Sequence, residues 1–136
     1  MSSLPYTNDP GPGQARSDAS HYSQAVRIGS TIKTAGQGGR NAATGILDPS
    51  DLHSQIDNAF ENIDRVLQAA GLRGWEDVYL WRSFAVRMQE SHEYLVRKIR
   101  ERVPGHRPVW TAVQVPGLAK KEMLIEIEVE AYVPEK

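Results

Sequence analysis

Apolar and acidic residues alternate without a break near the C-terminal end of the chain. In residues 124–132 (LIEIEVEAY), Ile125, Ile127, Val129 and Ala131 fall on one face and Glu126, Glu128 and Glu130 on the other, the period of two expected of a half-buried strand. A longer period governs the middle of the chain. Ile56, Ala59, Phe60, Ile63, Val66, Leu67 and Ala70 recur at helical spacing between a start signal, Asp48-Pro49-Ser50-Asp51, and a stop, Gly71, so a helix is predicted there. Residues 77–87 (DVYLWRSFAVR) and 109–115 (VWTAVQV) are rich in β-branched and aromatic side chains and are read as strands. Between them Ser91 is placed to cap a second helix carrying Leu95, Ile99 and Val103 on one stripe, with Pro104-Gly105 ending it. Residues 22–28 (YSQAVRI) and 31–37 (TIKTAGQ) flank Gly29-Ser30, a connector suited to a tight hairpin.

The predicted order is therefore ββαβαββ, an α+β domain with a single sheet and both helices on one face. The other face would carry Tyr79 and Trp81, or their alternates, and side chains so apolar need cover. Self-association into a ring with the sheets inward supplies it. Residues 5–20 (PYTNDPGPGQARSDAS) are dominated by Pro, Gly, Ser, Asp and Asn and show no apolar periodicity. Residues 1–20 are accordingly read as an N-terminal loop or arm and residues 21–136 as the folded domain. Gly36, Gly38, Gly39 and Gly45 open an irregular stretch up to Pro49 in which backbone can approach a ligand or another strand closely.

Composition narrows the chemistry. The chain has 136 residues and no cysteine, which removes a thiol nucleophile, a disulfide framework, an iron–sulfur cluster and any cysteine-ligated zinc. No apolar run approaches the roughly 20 residues needed to cross a bilayer, and residues 1–9 (MSSLPYTND) carry neither a basic nor a hydrophobic leader. A cytoplasmic location and no membrane partner are expected. With 16 Lys and Arg against 17 Asp and Glu, the net charge is −1, so nucleic acid is not expected as a partner either. The one basic run, Arg97, Lys98, Arg100, Arg102, His106 and Arg107, reads as a solvated helix face. His53 and Asp57 are spaced i, i+4, but two residues do not make a metal site, and no metal or cofactor is expected. His21 is read as a strand-end residue and His92 as part of a helix start.

Four segments then combine: Tyr22-Ser23-Gln24-Ala25; Ala35-Gly36-Gln37; Gln55 to Ala59 with Asn62, Leu67, Ala69-Ala70-Gly71 and Asp77-Val78; and Ile125-Glu126-Ile127-Glu128. Over residues 22–132 they resemble the Rid family of reactive intermediate deaminases, also called YjgF-like proteins. The resemblance implies a chorismate-mutase-like (YjgF-like) fold, a homotrimer around a sheet-lined barrel, and a small-molecule ligand in three clefts between subunits. In the family's active deaminases the cleft accepts a 2-imino or enamine acid and releases a 2-keto acid and ammonia. An arginine on the fourth strand holds the substrate carboxylate, and a glutamate on the last strand positions the water.

Carried over, the catalytic glutamate falls on Glu126, the lining tyrosine on Tyr22 and the strand-two glycine on Gly36. The remaining positions depart. Pro108-Val109-Trp110-Thr111-Ala112-Val113 stands against the family's Pro-x-Arg-Ser-Cys-Val, so Trp110 takes the place of the arginine and Ala112 that of the cysteine, while Ala35 replaces the serine of Ser-Gly-Gln. The candidate ligand-binding set is Tyr22, Ala35, Gly36, Trp110 and Ala112. A guanidinium grips a carboxylate through two charge-assisted hydrogen bonds, each worth about 1.5–3 kcal/mol. An indole offers one neutral donor and a flat face. Trp110 then either plugs the cleft or gives an aromatic ligand a platform. Arg82, Arg87 and Arg107 are the candidates to replace the missing arginine, although Arg107, three residues before Trp110, points to the opposite face of a regular strand. If Glu126 is buried, its pKa should be raised; Glu128 and Glu130 are read as structural or solvent-facing.

The expected function is a small-molecule hydrolase or tautomerase acting on an imine- or enamine-like or more apolar substrate, and poorly on short 2-imino acids. The alternatives are an ordinary 2-iminobutanoate/2-iminopropanoate deaminase using another arginine, a ligand-binding trimer without catalysis, and a ribonuclease or translation inhibitor of the kind described for some family members.

Overall fold

A computed structural model of the chain describes residues 1–134. Its centre is β7 (Ile125–Tyr132), where burial alternates residue by residue as the sequence pattern requires. β5 (Val78–Ala85) pairs along one side of β7; β3 (Thr31–Thr34) and the two-residue β4 (Gln37–Gly38) pair along the other, all antiparallel. β2 (Ala25–Ile28) makes the expected hairpin with β3, β1 (Tyr6–Thr7) extends it, and β6 (Val109–Gln114) forms the far edge parallel to β5. That parallel pair needs a crossover, which α3 (Met88–Arg102) supplies.

Helix α2 (Leu52–Ala69) lays its apolar stripe on the sheet, burying Ile56, Ala59, Phe60, Ile63 and Leu67 against Ile125, Ile127 and Val129. Asp51 caps it by accepting the Ser54 N–H at 3.0 Å. α3 packs beside it on the same face. Tyr94 Oη donates to Asp57 at 2.7 Å, Lys98 pairs with Asp57 at 3.2 Å, and Arg102 pairs with Glu61 and Asp64. An aromatic column crosses this core. Phe60 stacks on Trp75 at 4.6 Å, Trp75 meets Trp81 edge-on at 5.5 Å, Trp81 stacks on Trp110 at 4.4 Å, and Trp110 on His92 at 5.3 Å. Among the described residues no helix is long and apolar enough to cross a membrane.

The order ββαβαββ stands as the frame, with β1, β4 and a helix α1 (Pro12–Ser20) added. The stretch read as an N-terminal loop or arm therefore contains a helix. Pro12 lies in its first turn, where a missing N–H is harmless, Gly13 packs so tightly on Gln24 that a side chain would overlap it, and His21 ends it with φ 54°. Ser91 does not cap α3. The helix starts earlier, with Arg87 at the N-cap, and Ser91, buried one turn in, donates its hydroxyl to the Arg87 carbonyl at 2.7 Å. A register shift between Val78 and Leu80 corrects the expected pairing of Tyr79 with Trp81 on the open face. It sends Trp81 into the helix-side core, while Tyr79 stays exposed and donates to Glu130 at 2.9 Å. The alternates Leu80, Arg82 and Phe84 are the ones that lie opposite Glu130, Glu128 and Glu126.

Candidate functional site

The site begins at a break in a strand. Residues 31–37 read as one continuous strand, but β3 and β4 pair with separate stretches of β7, and Ala35-Gly36 leaves the ladder between them. Glu126 fills the gap. A Cβ on Gly36 would overlap the Glu126 carboxyl, so the glycine is what lets the acid lie across the backbone. Two buried amides hold the break open: Gln24 Nε2 donates to Gln37 Oε1 at 3.2 Å, and Gln37 Nε2 donates to the Ala35 carbonyl at 3.3 Å. The Ala35 N–H returns to the Gln24 carbonyl at 2.8 Å.

Over Glu126 opens a pocket of about 390 Å³. Tyr22, Ala35, Gly36 and Glu126 line it, as do Asn62, which the resemblance included without a role, and residues the sequence did not single out: Arg16 from α1, Arg40, Lys120 and Met123. Helix α2 fastens both flanks. Asn62 Nδ2 donates to the Gly38 and Arg40 carbonyls at 2.9 Å each, fixing the turn that carries Arg40. Gln55 Nε2 donates to the Asp48 and Glu122 carbonyls at 2.8 Å each, and Gln55 Oε1 accepts the Leu124 N–H at 2.9 Å, anchoring the segment before β7.

Glu126 differs from its neighbours on the stripe. Glu128 and Glu130 pair with Arg82 at 3.3 and 3.6 Å, whereas Glu126 makes no ion pair among the described residues. Burial pushes its carboxyl pKa up, and the nearby Glu128 pushes the same way. A carboxyl whose pKa is raised keeps its proton to a higher pH than a free carboxyl, which favours a role as proton donor.

Trp110 and Ala112 lie elsewhere in the chain. Trp110 sits opposite Trp81 on the helix side of the sheet, and its Nε1 donates to Ser83 Oγ at 3.0 Å. Glu126 is on the other face, with β5 between their strands. Trp110 floors a separate cavity of about 520 Å³, bordered by Arg100, His106 and Arg107. Ala112, level with Ser83 on β6, is exposed on the edge strand. None of the expected substitute arginines lines the Glu126 pocket. Arg82 is held by Glu128 and Glu130, and Arg87 pairs with Glu90 at 3.0 Å. Arg107 lies ahead of β6 in irregular backbone, so the strand argument does not apply to it, and it borders the same cavity as Trp110.

Arg16 and Arg40 were hidden for identifiable reasons. One belongs to a helix without an apolar stripe and the other to a glycine-rich turn; the only signal in the sequence was a guanidinium next to Gly38-Gly39. His53 stacks on Tyr94 at 3.9 Å and Asp57 accepts from Tyr94, so that pair belongs to the contact between α2 and α3. Among the described residues no group of three or more His, Asp or Glu side chains is placed to hold a metal ion.

Comparison with known proteins extends the geometry. The family model described as endoribonuclease L-PSP matches residues 13–133. A RutC family protein of Pyrococcus horikoshii is 32% identical over 113 residues, 82% of this chain and 86% of that protein. Among solved structures, a member of the YjgF/YER057c/UK114 family from Mycobacterium tuberculosis gives a TM-score of 0.77 at 27% identity over 96% of this chain and 100% of its own. RidA from an Antarctic Psychrobacter gives 0.79 at 28% identity over 94% of this chain and 98% of its own.

Proposed function

From the premise that the chain belongs to the Rid (YjgF-like) family, which those matches establish, we propose that its Glu126 pocket hydrolyses a small imine or enamine in a cytoplasmic homotrimer. The observation that carries this reading is Glu126 itself. It is a half-buried carboxyl with a raised pKa and no ion-pair partner among the described residues, lying across a glycine in a pocket of small-molecule size.

The chemistry needs one proton shuttle. The protonated carboxyl of Glu126 gives its proton to the imine nitrogen, or to the β-carbon of an enamine, and an iminium ion forms. Water then attacks the iminium carbon and passes a proton to the Glu126 carboxylate, leaving a carbinolamine. Glu126 hands that proton to the nitrogen, the C–N bond breaks, and ammonia leaves as the hydroxyl proton returns to the carboxylate. The products are a carbonyl compound and ammonia, and the acid ends as it began. Protonation of an enamine β-carbon followed by return of an N–H proton to the carboxylate makes the same group a tautomerase.

Trp110 sets the expected limit on substrate. With an indole at the resembled arginine position there is no guanidinium on β6, so short 2-imino acids are poorly oriented and slowly hydrolysed. Within one chain Trp110 and Ala112 cannot reach Glu126. They contribute to a ligand site only if the exposed β6 edge of one subunit lies against the Glu126 pocket of the next.

The test is ammonia release from imines generated in situ, with side chains ranging from short to aromatic. Turnover of at least one of them is expected, with Glu126→Gln lowering it about 100-fold or more. A folded wild-type protein that binds such compounds and accelerates none of them is a binding trimer without catalysis.

A further inference from the structure

We propose that Met123 is the specificity-determining residue of the Glu126 pocket, and that it selects an imine or enamine carrying a long or aromatic apolar side chain. This deepens the hydrolysis reading of the same pocket and rests on it. Two glycines make the room. A Cβ on Gly36 would overlap the Glu126 carboxyl, and a Cβ on Gly38 would lie 2.7 Å from Met123 Cε and 3.9 Å from its sulfur. Each glycine thus yields its side-chain space to another residue, Gly36 to an acid and Gly38 to a methyl group. All four residues line one pocket.

The thioether hangs from a fixed point. Gln55 clamps the backbone on both sides of it, donating to the Glu122 carbonyl at 2.8 Å and accepting the Leu124 N–H at 2.9 Å, while the Met123 N–H closes a turn onto the Lys120 carbonyl at 3.0 Å. Its far end stays adaptable, because methionine has three rotatable bonds and a polarisable sulfur. The backbone facing it has its carbonyls engaged. Gly38 accepts from Asn62 Nδ2 at 2.9 Å and Gly39 from Asn58 Nδ2 at 3.1 Å. A methyl lying over carbonyls that are already bonded is a wall suited to apolar groups, since a polar one placed there would lose its water without a partner.

Distance sets the length of the substrate. Gly36 and Gly38 stand roughly 6.5 Å apart along the strand. With the reacting carbon over Glu126, a two-carbon side chain at about 1.5 Å per bond covers less than half of that span and falls short of the Met123 methyl. The volume agrees. A pocket of about 390 Å³ lies within the range of roughly 300–1,000 Å³ that takes drug-sized ligands, far more than a three-carbon imine fills. Poor turnover of short substrates then has a cause besides the indole at position 110.

The experiment follows ammonia release from imines generated in situ with methyl, ethyl, n-butyl and benzyl side chains. In parallel, the corresponding 2-oxo acids, which share one head group, are titrated by NMR into the whole chain labelled with ¹³C in its methionine methyls. The chain has three methionines, Met1, Met88 and Met123, and Met123→Leu identifies the signal of interest. That signal should shift with 2-oxohexanoate and phenylpyruvate and hardly at all with pyruvate, while the signal of Met88, which packs against the core, should stay in place. From methyl to n-butyl, kcat/KM should rise about fourfold per methylene.

Gly38 is not at a positive φ, so Gly38→Ala adds a methyl without backbone strain and drives the end of Met123 into the pocket that both residues border. The n-butyl and benzyl imines should then lose about 10-fold or more relative to the methyl imine, and adding Met123→Ala should restore them. Met123→Ala alone should favour benzyl over n-butyl, and Met123→Leu, of similar volume, should keep the wild-type order.

The assignment is overturned if the Met123 methyl signal responds to none of the 2-oxo acids, if the methyl imine is turned over best, or if folded Gly38→Ala and Met123→Ala chains keep the wild-type order of substrates. Should Gly38→Ala fail to fold, Met123→Ala and the methyl signal decide. Failure of the hydrolysis reading would look different. Binding of 2-oxo acids that depends on side-chain length and on Met123, with no imine turned over, keeps the specificity assignment and removes catalysis. Turnover whose order of substrates is indifferent to Met123 keeps catalysis and removes the specificity assignment.

Discussion

Trp110 lies flat on Trp81, ring centroids 4.4 Å apart and planes within 11°, and gives its indole N–H to Ser83 Oγ at 3.0 Å. The residue at the resembled arginine position is thus a link in the aromatic column of the core, with His92 stacked on its other side. Trp110→Ala should destabilise the protein by about 3 kcal/mol through the cavity it leaves, and Trp110→Phe, which keeps a ring on Trp81, by less than about 1.5 kcal/mol. Denaturant unfolding measures both. Near-wild-type stability of the alanine variant would show that the column does not depend on this ring.

Gly36→Ala should act on Glu126. The new Cβ has no room while the carboxyl stays in place, so either the acid swings away or the strand break shifts, at a cost of about 1–3 kcal/mol. Activity should fall with it, and a second change, Glu126→Ala, should relieve the strain and recover stability without recovering activity. Independent, additive losses in that pair would contradict the contact.

Residues 125–132 and 52–69 were legible because burial on one face of a strand or helix imposes a period that only packing against a sheet explains. The parts that escaped depend on contacts the chain makes with itself at a distance. α1 has no stripe to read, since what holds it is Gly13 against Gln24, with Asp9 tied to Arg65 just ahead of it. The shift after Val78 decides which of Tyr79 and Trp81 is buried, and periodicity assigns both to one face. Glu126 was singled out through resemblance alone, as nothing in its spacing separates it from Glu128 and Glu130. What separates them is Arg82, which pairs with the latter two.

Glu126 should make stability depend on pH in a definite direction. Burial, reinforced by Glu128, raises its pKa above the ordinary 4.5, so the folded state holds the proton more tightly than the unfolded chain. Its contribution is most favourable below pH 4.5 and is lost as pH rises through the raised value. Glu126→Gln removes this charge. The variant should therefore be more stable than wild type at neutral pH, with the difference shrinking as pH falls toward 4.5, while hydrolysis is lost. Melting temperatures across that range test it, and a glutamine variant less stable at neutral pH would mean that the carboxylate is stabilised by a partner.

Assembly follows from what the sheet leaves uncovered. Along the open face, Ile28 and Tyr132 stay exposed beside Thr31 on β3, and Val109 stands exposed on the edge strand opposite Leu80. An edge strand with free backbone groups, next to apolar side chains, is a surface that self-association protects. The salt links Arg82–Glu128 and Arg82–Glu130 offset part of the negative charge in the middle of the face. Light scattering should accordingly give a mass near three times 15.2 kDa. Val109→Lys combined with Tyr132→Lys puts like charges into each proposed contact and should shift the protein toward monomer, with its fold retained by circular dichroism, because both side chains lie outside the buried core. A wild-type protein that is monomeric at micromolar concentration would remove the trimer, and with it any contribution of Trp110 or Ala112 to the Glu126 pocket, leaving Arg16, Arg40 and Lys120 of the same chain as its cationic groups.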